Sequence, residues 1–243
     1  MFEGHAPYKP RYVLPDYAKF LANGSEWLEL EGAKDLDDAL SLLTILYHHV
    51  PSVTSMPVYL GQLDALLQPY VRILTQEEIN SRIKRFWRYL DRTLPDAFMH
   101  ANIGPEDTPV TRAILRADAE LKQVAPNLTF IYDPAITPDD LLLEVAKNIC
   151  ECSKPHISNG PVNDKIFTKG RYGVVSCYNS LPLAGGGSTL VRLNLKAIAE
   201  HSTSMEDFFS RALPHYCQQQ MAIIDARCDF LYQQSGFFEN SFL

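Results

Sequence analysis

The sequence contains no apolar run long enough to cross a membrane. The stretch from Leu36 to Tyr47 is interrupted by acidic and hydroxyl residues, and it is far shorter than a bilayer-spanning helix. The first 15 residues contain three prolines and lack the apolar centre of a signal peptide. We therefore expect a cytoplasmic protein that does not bind membranes.

Cysteines with the spacing of metal ligands are scarce. The chain has five cysteines, an odd number, and with no secretion signal this favours reduced thiols in the cytoplasm. Cys150 and Cys152 form one C-x-C pair, and no second pair has the spacing of a zinc site. We expect no bound metal and no cofactor held by this chain.

Long blocks of one charge are also missing, and the net charge is −7. The densest basic patch lies on one predicted helix, among acidic neighbours, and consists of Arg82, Lys84, Arg85, Arg88 and Arg92. We interpret this patch as a solvated helix face. The sequence carries no signature of nucleic-acid binding.

The 243 residues, 46% of them apolar, suffice for one large or two small domains. Residues 1–34 are punctuated by proline and glycine and contain several aromatic side chains that need a partner surface. We interpret residues 1–34 as an extended arm and residues 35–243 as the main domain.

Three of the longer helices are predicted, the first two of them from helix caps and apolar spacing. They run from Asp35 to about His49, from the Thr75–Glu78 capping box through Leu94, and from about Met205 to about Gln234 with an interruption at Pro214. Residues 53–70 are predicted to begin as a loop and to become helical after Pro57.

Between these helices, strands and helices alternate along the chain. The predicted order is a strand at 96–101, a helix from Thr108 and Pro109 to about Val124, a strand at 128–132, a helix from Thr137 and Pro138 to about Cys150, and a strand at 172–176. This spacing is typical of parallel β-α units, so the sequence predicts an α/β sheet or barrel.

The most informative stretch runs from Gly170 to Lys196. Its first strand ends on Cys177, a glycine triplet at 185–187 follows, and a second strand is predicted at 189–195. Three successive glycines are tolerated where the backbone bends sharply or approaches another group closely. Locally, Cys177 is either a small buried side chain beside a flexible hairpin or a reactive cysteine on a loop tip.

Polar residues collect where the predicted parallel strands end. Strand ends of this kind form ligand sites in α/β folds, although each such residue alone is more often a turn or cap residue. The residues are His100 and Asn102 after one strand, Asp133 after the next, Cys177 and Asn179 after the third, and Asn159, Asn163 and Asp164 in a predicted loop at 158–164. Their shared placement predicts a pocket around Cys177.

Four motifs occur together in one order. They are G-Q-L-D-A-L-L-Q-P-Y at 61–70, P-N-L-T-F-I-Y at 126–132, N-G-P-V-N-D at 159–164 and V-V-S-C-Y-N at 174–179. The set resembles the glycyl radical enzymes, and the stretch S-C-Y-N-S-L-P-L-A-G-G-G with the opening G-H-A-P-Y-K-P is similar to their YjjI-type branch. The resemblance covers nearly the whole chain.

The resemblance implies half of a ten-stranded α/β barrel, with flanking helices and a central cysteine finger loop at about 170–196. Cys177 is the implied thiyl radical residue, which abstracts hydrogen from a small organic substrate under anaerobic conditions. The substrate contacts are expected from placement at the strand ends alone, and they are His100, Asn102, Asn163, Asp164 and Asn179. The glycyl radical itself would be installed by an activating enzyme that uses an iron-sulfur cluster and S-adenosylmethionine.

The chain departs from the family at the radical glycine. The family motif R-V-x-G-[FY] is absent, and the similar Ser235-Gly236-Phe237 follows two glutamines and is interpreted as a helix C-cap. We therefore expect the chain to be a central fragment that is catalytically incomplete alone. The missing C-terminal portion would be a partner supplied in trans.

Two other functions stay open at this point. One is an inactive remnant or a partner-dependent interaction subunit, which the missing glycine motif favours. The other is a thiol enzyme with Cys177 as nucleophile and His156 or His100 as base, although no local signature pairs these residues. Thiol alkylation separates the readings, because a nucleophilic thiolate reacts fast near neutral pH and a buried thiol reacts slowly.

Overall fold

A computed structural model describes residues 10–53, 58–93, 99–175 and 179–234. Within these residues the chain forms two compact units, one from Tyr12 to Gly186 and one made of residues 10–11 and 187–234. The first unit contains a parallel sheet with helices, and the second is mostly helical. The predicted α/β class is therefore confirmed.

The first unit alternates helices and strands. Its elements are β1 Tyr12–Leu14, α1 Tyr17–Asn23, α2 Leu36–Val53, β2 Tyr59–Gln62, α3 Leu63–Leu67, α4 Gln76–Thr93, β3 His100–Ile103, α5 Pro109–Leu121, β4 Asn127–Tyr132, α6 Asp139–Cys152, β5 His156–Asn159, α7 Gly160–Ile166, β6 Tyr172–Val175 and β7 Asn179–Pro182. A short strand β8, Gly185–Gly187, spans the boundary between the units.

The central sheet has the strand order β2-β3-β4-β5, and each pair is parallel. The register places Asn102 opposite Thr129 and Thr129 opposite His156. Parallel pairing brings all four carboxyl ends to one edge of the sheet. The hairpin of β6 and β7 is a separate antiparallel pair.

Local signals explain where several helices begin. The Thr75 hydroxyl accepts a hydrogen bond from the Glu78 N–H at 3.3 Å, and the Glu78 carboxylate accepts one from the Thr75 N–H at 2.9 Å. This is the predicted capping box. Thr108 caps α5 by accepting from the Thr111 N–H at 3.0 Å, with Pro109 in the first turn, as predicted.

A layer of leucine-rich helices covers one face of the sheet. Side chains of α2, α4 and α5 form one apolar cluster with the sheet residues Ala101, Ile103, Leu128 and Phe130. The predicted buried face of α4 is confirmed, because Ile79, Ile83, Phe86 and Leu90 are all buried. Burial of this apolar surface is the main force that holds the unit together.

The structure corrects two predictions in the first unit. Residues 59–62 form strand β2 instead of a loop turning into helix, and the segment predicted as a loop at 158–164 belongs to β5 and α7. A short strand buried on both faces carries no alternating pattern, which is why β2 reads as a loop or helix. The start of α7 has a clear local cause, since the Asn159 side chain accepts from the Val162 N–H at 3.1 Å.

The arm predicted over residues 1–34 contains a two-turn helix. In α1, Tyr17 and Leu21 are buried, and Asp16 caps the helix by accepting from the Lys19 N–H. The segment is therefore not extended throughout. Its boundary at residue 34 stays a prediction.

In the second unit, the strand predicted at 189–195 is wrong. The backbone there is irregular until α8, Leu195–Glu200, and it is held by side chains from α10, Leu213–Asp229. Gln220 donates to the Val191 carbonyl at 2.6 Å, and Arg227 donates to the Thr189 hydroxyl at 3.0 Å. The alternating pattern was misleading because these residues bond to a helix instead of a neighbouring strand.

The last predicted helix is confirmed in extent but not in its interruption. Helical backbone runs from α9, Met205–Asp207, through a wide π turn at Phe208–Ala212, into α10 and a second π turn at Phe230–Gln234. Pro214 lies in the first turn of α10, so the wide turn takes the place of a break. In the described ranges, no helix is both long and apolar enough to cross a bilayer.

Candidate functional site on the inner face of the sheet

The sheet has a second face that carries polar side chains, which we call the inner face. Side chains alternate between the two faces of a strand, so this face is opposite to Ala101, Ile103, Leu128 and Phe130. Its members are Tyr59, His100, Asn102, Asn127, Thr129, Ile131, His156 and Ser158. Two of the site residues predicted from the sequence, His100 and Asn102, therefore lie on one face of strand β3.

Strand β6 lies against the inner face. Ile131 of the sheet forms a small buried cluster with Tyr172 and Val174 of β6. The Asn102 side chain donates to the Val174 carbonyl at 2.9 Å and accepts from the Val174 N–H at 2.8 Å. One side-chain amide thus satisfies both backbone groups of a residue that is 72 positions away.

Close packing at Gly173 sets how near β6 comes to β2. A Cβ atom at position 173 would lie 2.5 Å from the Tyr59 ring, which is too close for any side chain. The Tyr59 hydroxyl also donates to the Asn102 side-chain oxygen at 3.4 Å. Burial raises the pKa of Tyr59 well above its usual value, so the phenol stays protonated and can donate.

The β6–β7 hairpin carries the cysteine stretch. Its register pairs Tyr172 with Pro182 and Val175 with Asn179, and the Asn179 side chain is exposed. The strand predicted to lead toward the cysteine is confirmed over residues 172–175. Cys177 lies outside the described residues, between the last residue of β6 and the first of β7.

The glycine triplet after the hairpin does lie where backbones approach closely. Gly186 has a φ of 154°, and a Cβ there would lie 2.0 Å from the Tyr12 carbonyl oxygen. The Ala184 N–H donates to the Leu14 carbonyl at 2.8 Å. The hairpin base is therefore tied to β1, which agrees with the role expected for these glycines.

Asn163 connects α7 to both β5 and the hairpin. Its side-chain nitrogen donates to Ser158 at 3.0 Å, and its oxygen accepts from Ser180 at 2.8 Å. It is 8% exposed. The neighbouring Asp164 is half-buried, and its charge adds to burial in raising the pKa of Tyr172. The structure therefore brings Asn163 and Asp164 to the side of the hairpin.

His100 is a buried histidine at the start of β3, with 1% of its surface exposed. Burial, with a smaller contribution from the nearby His156, lowers its pKa to about 4. The ring is therefore neutral at physiological pH. A neutral ring with so low a pKa is a weak general base, which makes it poorly suited to ionise a thiol.

Two polar residues of the site were missed as individual candidates. Thr129 is 1% exposed, and its hydroxyl has no hydrogen-bond partner within the described residues. Asp64 is buried at the carboxyl ends of β2 and β3, where it accepts from the Gly104 N–H at 2.6 Å and the Thr111 hydroxyl at 2.8 Å. Both lie in motifs quoted above, but only their packing distinguishes them from ordinary strand and cap residues.

Other polar residues have ordinary local roles. Asp133 accepts from the Ala135 N–H at 2.8 Å within a turn. Cys150 is exposed, and Cys152 donates toward Asp118 at 3.4 Å. Across the part of the chain that the structure describes, no three histidine, cysteine or acidic residues are grouped as a metal site would require.

Comparison with known proteins agrees with the resemblance seen in the sequence. A family model described as glycyl radical enzyme YjjI-like matches residues 1–243. The uncharacterized protein YjjI of Escherichia coli K12 is 91% identical over 243 residues, which are 100% of this chain and 47% of that protein. An uncharacterized protein of Haemophilus influenzae is 44% identical over 241 residues, 99% of this chain and 46% of that protein. The chain thus spans about half the length of these relatives.

Proposed function

Because the chain belongs to the YjjI-like glycyl radical enzyme family, we propose that it supplies the cysteine side of a radical reaction. A thiyl radical at Cys177 takes a hydrogen atom from a small organic substrate. The substrate C–H bond breaks, the cysteine S–H bond re-forms, and the unpaired electron moves to the substrate carbon. The observation that carries this proposal is the docking of β6 on the inner face through Asn102.

The placement of β6 supports the proposal because radical chemistry needs a protected site. A reactive intermediate is preserved only where water and other reactants are kept out. The residues leading to Cys177 are well enclosed, since Tyr172, Gly173, Val174 and Val175 are all buried. In general, an enclosed thiol stays protonated, because burial disfavours the thiolate.

We place the substrate along the inner face, beside the docked strand β6. His100, Asn163, Asp164 and Asn179 would line it, with Thr129 as an addition from the structure. Neutral imidazole, amide and hydroxyl groups orient a small polar molecule without ionising it. Asn102 would act at the edge of this pocket, since both of its amide atoms already bond to Val174.

We further propose that the four parallel strands form part of a ten-stranded barrel. The sheet supports this because its inner face is polar and its edge strand β5 is largely exposed. The remaining strands and the radical glycine would come from sequence that the relatives contain outside the matched half. An activating enzyme with an iron-sulfur cluster and S-adenosylmethionine would install the radical in the cytoplasm, without oxygen.

The experiment uses the full-length E. coli relative, expressed anaerobically with a radical-activating enzyme. We expect an electron paramagnetic resonance signal from the glycyl radical after activation, and its loss in air. Replacing the cysteine that aligns with Cys177 by alanine should keep the radical signal and abolish conversion of a panel of diols and 2-oxo acids. The same change at the position of the exposed Cys150 is the control.

Two results would contradict the proposal. One is the absence of any protein radical after activation. The other is equal conversion by the enzyme and its Cys177→Ala counterpart.

A second candidate function is a subunit that depends on a partner. The observation in its favour is α10, a helix of 17 residues without one buried residue. The second unit exposes several large apolar side chains, including Phe209, Met221 and Tyr232. Exposed apolar surface of this kind marks an interaction site. If this chain alone is monomeric and unfolds cooperatively at high concentration, the second candidate is wrong.

A further inference from the structure

Strand β6 is held over the inner face without being part of the parallel sheet. Its ladder partner is β7, and the two form a separate antiparallel pair. Toward the sheet, hydrogen bonds to its backbone come from the side chain of Asn102. We propose that Asn102 is a positioning residue, whose amide takes the place of a neighbouring strand and sets the location of the cysteine hairpin.

The chemistry of the amide suits this role. An asparagine side chain presents one donor and one acceptor side by side, as a peptide group does. Val174 offers a carbonyl and an N–H at matching positions, and both contacts are within 2.9 Å. A carboxylate lacks the donor and an aliphatic side chain lacks both groups. Buried backbone groups without hydrogen-bond partners are costly, so we expect few other residues to be tolerated at position 102.

The neighbouring Tyr59 also restricts β6. The Tyr59 ring occupies the space that any side chain at position 173 would need. The Tyr59 hydroxyl donates to the same Asn102 oxygen that accepts from Val174. Asn102, Tyr59 and Gly173 therefore form one contact group, which we call the strand clamp. Cys177 follows Val174 by three positions, so the clamp acts close to it in sequence.

The importance of the clamp for catalysis rests on the proposed function, but its existence does not. The strand clamp is tested on this chain without any radical. A loss of the clamp should loosen the hairpin while the rest of the unit keeps its stability. A merely structural role of Asn102 would instead destabilise the whole unit.

The experiment compares Asn102→Leu with Asn127→Leu. Asn127 lies on the same inner face of the adjacent strand and carries no side-chain hydrogen bond to β6 among the described residues. Amide hydrogen exchange is followed in peptides covering 172–182, and alkylation is followed separately at Cys177 and Cys152 by mass spectrometry. Cys152 is the internal reference because it lies on α6, away from the hairpin.

For Asn102→Leu, we expect exchange in 172–182 and the ratio of Cys177 to Cys152 alkylation to rise about tenfold, as for the loss of about one net hydrogen bond. Asn127→Leu should leave both within twofold. Should Asn102→Leu fail to fold, Tyr59→Phe removes only the hydroxyl that donates to the Asn102 oxygen, and it should show a smaller rise of the same kind.

The proposal is overturned if exchange in 172–182 is unchanged, or if both thiols accelerate together. The strand clamp can be confirmed in this chain while the relative with the Cys177→Ala change still converts its substrate fully. That pair of results would disprove the proposed function but not the positioning role of Asn102. Conversion can instead be lost in that relative while Asn102→Leu leaves exchange in residues 172–182 of this chain unchanged. That pair of results would disprove the positioning role of Asn102 but not the proposed function.

Discussion

Two buried aspartates at opposite ends of the parallel sheet show how differently the molecule treats a carboxylate. At the amino ends, Asp118 accepts from the Lys154 ammonium at 2.7 Å and from the Trp87 ring nitrogen at 3.1 Å. At the carboxyl ends, Asp64 accepts from the Gly104 N–H and the Thr111 hydroxyl, both uncharged. The first site contains a matched cation, and the second contains only dipoles.

The difference shows that the two ends of the sheet satisfy a buried carboxylate in different ways. Lys154 also donates to the carbonyls of Gln123 and Pro126 at 2.9 and 3.1 Å, so its three protons all have acceptors. In parallel α/β folds the carboxyl end is the one that carries ligand sites. At this end, Asp64 holds the start of the loop after β3 by accepting from the Gly104 N–H. Its burial makes ionisation of the carboxyl group less favourable.

The largest effect is expected when the ion pair at the amino end is broken. Lys154→Met leaves the Asp118 charge buried without its cation, which costs about 3–5 kcal/mol in the free energy of unfolding. Urea denaturation measures this loss. The double variant Asp118→Asn with Lys154→Met should recover part of it, because no charge is left uncompensated.

A matched control comes from the helix surface. Lys84 contacts Glu120 at 2.6 Å, and both side chains are partly exposed. Lys84→Met should leave the urea midpoint close to that of the original chain, because exposed ion pairs contribute little. Equal losses for the two lysines would contradict the distinction drawn for the amino end.

An intermediate effect is expected from pH at the carboxyl end. Burial raises the pKa of Asp64 to about 7, against donated hydrogen bonds that act in the opposite direction. The folded state then binds more protons than the unfolded state between about pH 4 and 7. The free energy of unfolding should therefore fall as pH rises through this window, through this group.

The measurement is the urea midpoint between pH 4 and 8 for the chain and for Asp64→Asn. The variant should lack the Asp64 part of the decline. A control is Asp133→Asn, whose carboxylate lies in a turn. If the difference between the chain and Asp64→Asn does not change with pH, the raised pKa is wrong.

The features of the fold that depend on neighbouring residues could be predicted from sequence. The capping box at Thr75 and Glu78 and the proline start of α5 depend on residues within one turn, so their pattern is visible in the chain. Strand β2 could not be recognised, because a short strand buried on both faces has no alternating period. The run at 189–195 has the alternating pattern of a strand but is not one, because its backbone bonds to side chains of α10 instead of to a neighbouring strand.

The candidate site was harder to predict from sequence than the helix starts, because its contacts join residues far apart in the chain. The prediction that His100 and Asn102 follow a strand is wrong, because both lie within β3 and His100 is its first residue. The prediction that a strand leads toward Cys177 is confirmed over residues 172–175. The sequence could not show that Asn102 bonds to Val174, because that contact joins residues 72 positions apart. Nor could it single out Thr129, whose unusual feature is a buried hydroxyl that has no hydrogen-bond partner among the residues the structure describes.

The smallest effect is expected at Thr129, and it has the opposite sign. Its buried hydroxyl has no hydrogen-bond partner within the described residues, so Thr129→Val should leave stability unchanged or raise it by up to about 1 kcal/mol. The same change at Thr111 should cost about 1–3 kcal/mol, because the Thr111 hydroxyl donates to Asp64 at 2.8 Å. Thermal unfolding of Thr129→Val and Thr111→Val measures the two changes in stability. A loss at Thr129 as large as that at Thr111 would mean that the inner-face hydroxyl serves the fold, and it would count against the proposed role of Thr129 in substrate binding.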